Sequence, residues 1–137
     1  VVELKGRGSA ALAAPLLRKA LQSGWARADL AASSFHPDEL RTLRSHAPEV
    51  PLAVLAQSAD GAALALAREV AAQALHLPLG GTTAEDVERA RSAGLSALVF
   101  TVNLPKDIRA VYHMGAAGAF TDFPERVAEA LGGRPDR

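Results

Sequence analysis

Two charged residues, Glu3 and Lys5, lie on either side of Leu4 in the first apolar segment of the chain. Residues two apart in a β-strand face the same side, so both side chains are expected to point together. The pair can neutralise itself, or the carboxylate can bind a hard divalent cation and the ammonium group an anion. Burying an unpaired carboxylate is costly, and an exposed ion pair on an edge strand is the alternative that this feature alone leaves open.

Polar and aromatic residues also follow three later apolar segments. Residues 33–36 read Ser-Ser-Phe-His, residues 100–103 read Phe-Thr-Val-Asn, and residues 121–124 read Thr-Asp-Phe-Pro. Active sites of parallel α/β folds lie at the C-terminal ends of strands. The four clusters are therefore expected to meet at one rim, with these side chains close together: Glu3, Lys5, Phe35, Asn103 and Asp122.

Six short apolar segments alternate with helical patterns and supply the elements that would position these residues. Proline near a helix start and glycine after its end mark several boundaries, and Pro15 and Gly24 are expected to open and close the first helix. This alternation predicts a parallel sheet with helices outside it, either an open doubly wound sheet or a barrel. The apolar segments are 1–5, 30–33, 52–55, 74–77, 96–102 and 117–121.

Composition bounds the remaining possibilities. The 137 residues fit one domain, and the scarcity of aromatic residues predicts a core of Ala, Leu and Val. The chain has 15 acidic and 15 basic residues, so it lacks the excess of positive charge that is typical of proteins that bind nucleic acid or an anionic membrane. No apolar run approaches the roughly 20 residues of a membrane span. Without cysteine the redox compartment cannot be read, and a cytoplasmic location is only slightly favoured.

A glycine-rich segment offers a competing interpretation. Residues 6–11 read Gly-Arg-Gly-Ser-Ala-Ala after a strand, and Asp29 follows about 20 residues later, as in the dinucleotide-binding fingerprint. However, the preceding strand carries charges where a buried parallel strand should be apolar. Asp29 also begins a strand, whereas the ribose-binding acid should end one. A dinucleotide-binding domain is therefore the less favoured alternative.

The ordered series Glu-Leu-Lys, Ser-Ser-Phe, Thr-Val-Asn and Gly-Ala-Phe-Thr-Asp-Phe-Pro resembles the glycerophosphodiester phosphodiesterases of lipid metabolism. The resemblance covers nearly the whole chain, and the order and spacing of the set carry it rather than any one triplet. It implies a partial TIM (β/α) barrel of the PLC-like phosphodiesterase type, with parallel strands and outer helices. Residues 1–132 would be the C-terminal portion of that barrel, and residues 133–137 are expected to form a disordered tail.

The resemblance also implies roles for individual residues. Glu3 would be a ligand of a divalent metal, Mg²⁺ or Ca²⁺, and Lys5 would act catalytically beside the phosphate. Phe35 would lie near the glycerol end of the substrate and Asn103 near the site. Phe100 stands where the family usually has Trp, which keeps an apolar wall and loses an indole donor.

Several motifs of the family precede Glu-x-Lys and do not occur in this sequence: a His-Arg pair, a Glu-Asn pair, a Glu-x-Asp metal motif and a second catalytic His. The chain alone is therefore expected to bind metal weakly and to lack hydrolase activity. Its expected partners are a glycerophosphodiester and either a missing N-terminal barrel segment or further copies of itself. A non-catalytic half-barrel that works by association is the alternative function, and His36 is the histidine expected nearest the site.

Overall fold

The computed structural model describes residues 1–132, which form six strands alternating with six helices. The strands are β1 (Val2–Glu3), β2 (Ala32–Ser34), β3 (Leu52–Leu55), β4 (Ala74–Pro78), β5 (Ser96–Phe100) and β6 (Gly118–Ala119). The helices are α1 (Ser9–Gln22), α2 (Pro37–His46), α3 (Gly61–Glu69), α4 (Ala84–Ser92), α5 (Pro105–His113) and α6 (Glu125–Leu131), with a short 3₁₀ helix at Arg27–Asp29.

All strands are parallel, and their order in the sheet is their order in the chain, from β1 to β6. A doubly wound sheet reverses its strand order at a switch point, and this sheet has no such reversal. The sheet follows the progression of a (β/α) barrel instead. The fold is therefore a partial barrel with outer helices, as the sequence predicts.

The core is aliphatic. Its largest completely buried side chains belong to Leu and Val, and no aromatic residue is among the buried hydrophobic residues of the described chain. Strand β3 is buried at every position, as expected for a parallel strand covered on both faces. The prediction of an Ala, Leu and Val core is confirmed.

Local signals set most helix boundaries. Pro37 and Pro105 occupy the first turns of α2 and α5, where a missing backbone N–H costs nothing. The Asp60 side chain caps α3 by accepting a hydrogen bond from the Ala63 amide at 2.8 Å. The capping box of α4 uses Thr83 with Asp86, in which each side chain accepts a hydrogen bond from the backbone amide of the other residue.

Helix α1 differs from its predicted bounds. It begins at Ser9, six residues before the expected start, and Pro15 lies inside it on the exposed face. Gly8 precedes the helix with φ 81°, in the left-handed region that glycine adopts without strain. Residues 133–137, for which a disordered tail was predicted, lie outside the described residues.

Strands β1 and β6 each have a single neighbour in the described sheet. Both are two residues long, and both residues of β1 are exposed. No helix within residues 1–132 is both long and apolar enough to cross a membrane.

Candidate active site

A cleft of about 290 Å³ opens at the C-terminal ends of the strands. Every strand from β1 to β5 lines it, and Phe120 adds a ring directly after β6. This is the rim at which a (β/α) barrel carries its active site. The lining residues are Val1, Glu3, Ser33, Phe35, Leu55, His76, Phe100, Thr101 and Phe120.

Three of the five residues assigned to the site from the sequence line this cleft: Glu3, Phe35 and Phe100. Lys5 is at its mouth, with its Nζ 3.7 Å from Glu3 Oε2 and its side chain 78% exposed. Such an exposed pair adds little stability, about 0–1 kcal/mol. The ammonium group is therefore free to turn towards an anion at the mouth of the cleft.

Two aromatic rings form one wall of the cleft. Phe35, just after β2, meets Phe100, the last residue of β5, edge to face with ring centroids 6.2 Å apart. Phe35 remains 42% exposed, so the wall presents apolar surface to whatever enters. This arrangement suits the carbon skeleton of a small organic group rather than an ion.

Side chains at the end of β2 hold the end of β1. Ser34 Oγ donates to the Leu4 carbonyl at 2.6 Å and accepts from the His36 amide at 3.0 Å. His36 Nε2 lies 3.0 Å from the Lys5 carbonyl. A carbonyl oxygen only accepts, so Nε2 carries the proton in this contact. His36 therefore fixes the backbone on which Glu3 and Lys5 stand.

Asn103 is engaged in a bridge between two loops. Its side-chain oxygen accepts from the Asp122 amide at 3.0 Å and from Thr121 Oγ1 at 3.2 Å. Its Nδ2 donates to Asp122 Oδ2 at 2.8 Å, and Arg126 donates to its backbone carbonyl at 3.0 Å. These bonds join the loop after β5 to the loop after β6. Asn103 is not among the residues that line the cleft.

His76 is the site residue that the sequence interpretation missed. It is 4% exposed in the middle of β4, and its ring lies 4.8 Å from the Phe120 ring, centroid to centroid. Burial lowers the pKa of this histidine to about 4, so the ring is neutral at pH 7. The available signal was a single polar residue between Leu75 and Leu77 in a strand otherwise suited to the core.

The glycine-rich loop holds a carboxylate of the protein itself. Glu39 Oε1 accepts from the Gly8 amide and Oε2 from the Ala10 amide, both at 2.7 Å, and Ser9 Oγ donates to Oε2 at 3.3 Å. The amides of Ala10 and Gly8 hold the pKa of Glu39 below its usual range. The donors that a pyrophosphate would need are thus occupied, which together with the strand order removes the basis for a dinucleotide site.

The described residues do not form a metal centre on their own. Among residues 1–132 no group of three or more His, Asp or Glu side chains is placed to hold an ion. Glu3 is the one carboxylate in the cleft lining, whereas Mg²⁺ and Ca²⁺ take about six or more oxygen ligands. The donor set therefore does not fit a divalent cation without ligands from elsewhere.

Comparison with known proteins agrees with this geometry. The model of the glycerophosphoryl diester phosphodiesterase family matches residues 7–126. The match begins after Glu3 and Lys5, so the case for these two residues rests on their sequence pattern and their place at the cleft. The uncharacterized protein YqiK of Bacillus subtilis (strain 168) is 31% identical over 101 residues, which are 72% of this chain and 42% of YqiK.

Two solved structures share the fold. A phosphodiesterase of Oleispira antarctica, in complex with the product sn-glycerol-3-phosphate, superposes with a TM-score of 0.80 at 22% identity. A glycerophosphodiester phosphodiesterase of Parabacteroides distasonis ATCC 8503 gives a TM-score of 0.71 at 19% identity. Each alignment covers 95% of this chain, and 53% and 56% of the respective structures.

The chain spans about half the length of the solved structures that it matches, and less of YqiK. The family match extends from the loop after β1 into α6, and the cleft lies where barrels of this kind carry their active sites. On these findings, the chain belongs to the glycerophosphoryl diester phosphodiesterase family.

Proposed function

We propose that this chain supplies part of the active site of a phosphodiester hydrolase. The substrate is a glycerophosphodiester, which water cleaves to an alcohol and glycerol 3-phosphate. The observation that carries the proposal is the cleft itself: it has a carboxylate with an ammonium group beside it, an aromatic wall, and a position at the C-terminal strand ends of a chain from this family. The product named for the Oleispira antarctica structure supports the choice of substrate.

Each residue has a role that its surroundings support. Lys5 meets the phosphate, because its ammonium group is exposed at the cleft mouth and only loosely paired with Glu3. The edge-to-face pair of Phe35 and Phe100 packs against the glycerol carbons. Asn103 holds the loops after β5 and β6 together. Its proposed role is therefore to position these loops and not to contact the substrate.

Glu3 supplies one carboxylate to a divalent metal, Mg²⁺ or Ca²⁺, whose other ligands would come from outside this chain. Alone, Glu3 binds such an ion only weakly, because one carboxylate leaves most of the coordination shell to water. The cleft lining likewise lacks a strong general acid or base: the lowered pKa of the buried His76 makes this ring a weak base that is neutral at pH 7, and His36, outside the lining, donates its Nε2 proton to the Lys5 carbonyl. We therefore propose that hydrolysis requires a complementing barrel segment.

A complementation assay tests this proposal. The 137-residue chain is assayed against glycerophosphocholine with Mg²⁺ or Ca²⁺, alone and mixed with an N-terminal barrel segment of a related full-length family member. We expect no turnover by the chain alone, since general acid–base catalysis contributes roughly 10²–10⁴-fold. Turnover should appear in the mixture and fall at least about 100-fold for Lys5→Met or Glu3→Gln.

Lys19→Met and Glu125→Gln are matched controls on exposed helix surfaces away from the cleft, and both should leave the turnover of the mixture unchanged. Metal-dependent turnover by the purified chain alone, lost in His36→Ala, would contradict the proposal by showing that His36 has a catalytic role.

The unpaired edges of β1 and β6 favour a second candidate, a half-barrel that works only by association. The same assay separates the two. A stable complex with the complementing segment that never hydrolyses the diester would support the association module and contradict the hydrolase.

A further inference from the structure

His76 is a buried polar residue that the roles proposed above do not use. It stands on β4, beside Leu55 of β3 and Leu98 of β5 in the sheet register. Its side chain reaches the cleft, where the neighbouring surfaces are the apolar Leu55 and the ring of Phe120. A strand position with apolar neighbours on both sides would pack more simply with Leu or Val, so a polar ring there needs a partner.

That partner is not provided by residues 1–132. Neither ring nitrogen of His76 makes a hydrogen bond within the described chain. At the same time, no buried side-chain nitrogen or oxygen of this region lacks a partner. The ring nitrogens of His76 have no partner and yet are not among the buried unsatisfied atoms, so they must be accessible to solvent. The solvent-accessible space beside His76 is the cleft. The two nitrogens are thus available to a molecule bound there.

The chemistry of the ring narrows the kind of molecule. Burial keeps the imidazole neutral at pH 7, so it offers one N–H donor and one lone-pair acceptor. A phosphate oxygen only accepts and is better served by the Lys5 ammonium group at the mouth of the cleft. An alcohol hydroxyl both donates and accepts, which matches a neutral imidazole among apolar walls.

We infer that His76 is a specificity-determining residue that hydrogen-bonds a hydroxyl of the glycerol moiety while the neighbouring rings contact its carbons. This inference rests on the proposed function and specifies how the cleft distinguishes a glycerol ester from an alkyl ester. A ligand that lacks the hydroxyls would leave the buried imidazole without a partner, a loss of about 10-fold or more in affinity.

Paired ligands test this inference on the full 137-residue chain. Glycerol 3-phosphate and n-propyl phosphate carry the same phosphate and the same number of carbons, but only the first has free hydroxyls. NMR titration of each, followed at the His76 ring and at Phe35, gives two dissociation constants. We expect wild type to prefer glycerol 3-phosphate by about 10-fold, with the His76 ring shifting only for that ligand.

His76→Phe should reduce the preference to about 1 while changing the affinity for propyl phosphate by less than about 2-fold. His76→Gln keeps a donor and an acceptor and should restore part of the preference, which also covers the case in which the Phe variant fails to fold. His113→Phe, at an exposed site on α5 outside the cleft, is the matched control and should behave as wild type.

The outcomes separate the two proposals. If His76→Phe keeps the preference, or if either variant weakens both ligands equally, the role of His76 is overturned and the proposed function stands. If neither phosphate ester perturbs the cleft of wild type at concentrations of about 50 mM, in the range of very weak binding, the role of His76 is overturned, whereas the proposed function is decided by the complementation assay.

Discussion

Glu39 joins two helices through a contact that spans about 30 residues of sequence. Its carboxylate, on the first turn of α2, accepts hydrogen bonds from the Gly8 and Ala10 amides at the start of α1. It thereby supplies acceptors that the first turn of a helix otherwise lacks, and it places a negative charge at the positive end of the helix dipole. The loop that leads from Lys5 to α1 is held by the same contact.

Removing this carboxylate should destabilise the protein. We expect Glu39→Ala to lower the melting temperature by several degrees at pH 7, because two amides of α1 lose their acceptor in a partly buried setting. Thermal unfolding followed by circular dichroism measures the effect. Glu85→Ala, which removes only an exposed partner of Arg89 on α4, is the control and should change little.

The effect should also depend on pH with a definite sign. The amides lower the pKa of Glu39 in the folded state, so its contribution is present above the ordinary glutamate pKa of 4.5. The contribution is lost as the pH falls through the lower, folded-state value. Wild type and Glu39→Ala should therefore converge in stability in acid, and a difference that stays constant with pH would contradict the electrostatic account.

At this scale the sequence predicted some residues of the cleft, and it missed His76 and the structural contact of Glu39 for a physical reason. Glu3 and Phe35 were predicted there because strand ends meet at one rim of a parallel fold, and Phe100 because it stands where the resembled family usually has Trp; all three line the cleft. Glu39 and His76 were missed because their partners, Gly8, Ala10 and Phe120, are brought to them only by the tertiary fold.

Helix α1 shows where element boundaries departed from sequence expectation. Proline is favoured in the first turn of a helix, and Pro37 and Pro105 occupy such positions. Pro15 instead lies in the interior of α1, where its side chain faces solvent. The opposite face of α1 packs against α2 and contains the buried residues of the helix, Ala10, Ala14 and Leu17. Burial of the face that carries Ala10 therefore keeps α1 helical through Pro15, although proline is unfavourable in a helix interior.

Replacement of Pro15 should reveal that cost. Proline has no N–H to donate to the carbonyl four residues earlier, that of Ala11, and its interior position costs up to about 3 kcal/mol relative to alanine. We expect Pro15→Ala to raise the free energy of unfolding by about 1–3 kcal/mol, as measured by urea denaturation. The side chain is exposed, so no packing is lost.

Pro37→Ala provides the comparison, since this proline occupies the first turn of α2 where its missing donor is not needed. Its replacement should leave stability nearly unchanged or slightly lower it. Equal effects of the two substitutions would mean that the helical position of Pro15 carries no cost.

Residues 1–132 present two apolar surfaces, one towards each end of the sheet. At the first, Leu12 and Leu16 are 76% and 68% exposed on α1, the helix that follows the edge strand β1 in the chain. At the second, a groove of about 300 Å³ runs between α5, β6 and α6, lined mainly by Val, Ile, Ala and Leu. A closed barrel has no such edges, and unpaired strands beside apolar surface promote pairing with other chains.

These surfaces predict the solution behaviour of the chain. We expect the purified 137 residues to self-associate or to be only marginally folded, because unpaired edge groups and exposed leucines both favour contact between copies. Sedimentation velocity over a range of concentrations, combined with thermal melting, measures both properties.

Leu12→Glu with Leu16→Glu should shift the distribution towards monomer, whereas Ala65→Glu, at an exposed position of α3 in the middle of the helix layer, should not. The expectation rests on the open sheet as a whole rather than on any one residue. A monomer that melts cooperatively above about 60 °C, in the upper range for mesophilic domains, would show that the six-stranded sheet is stable with both edges open.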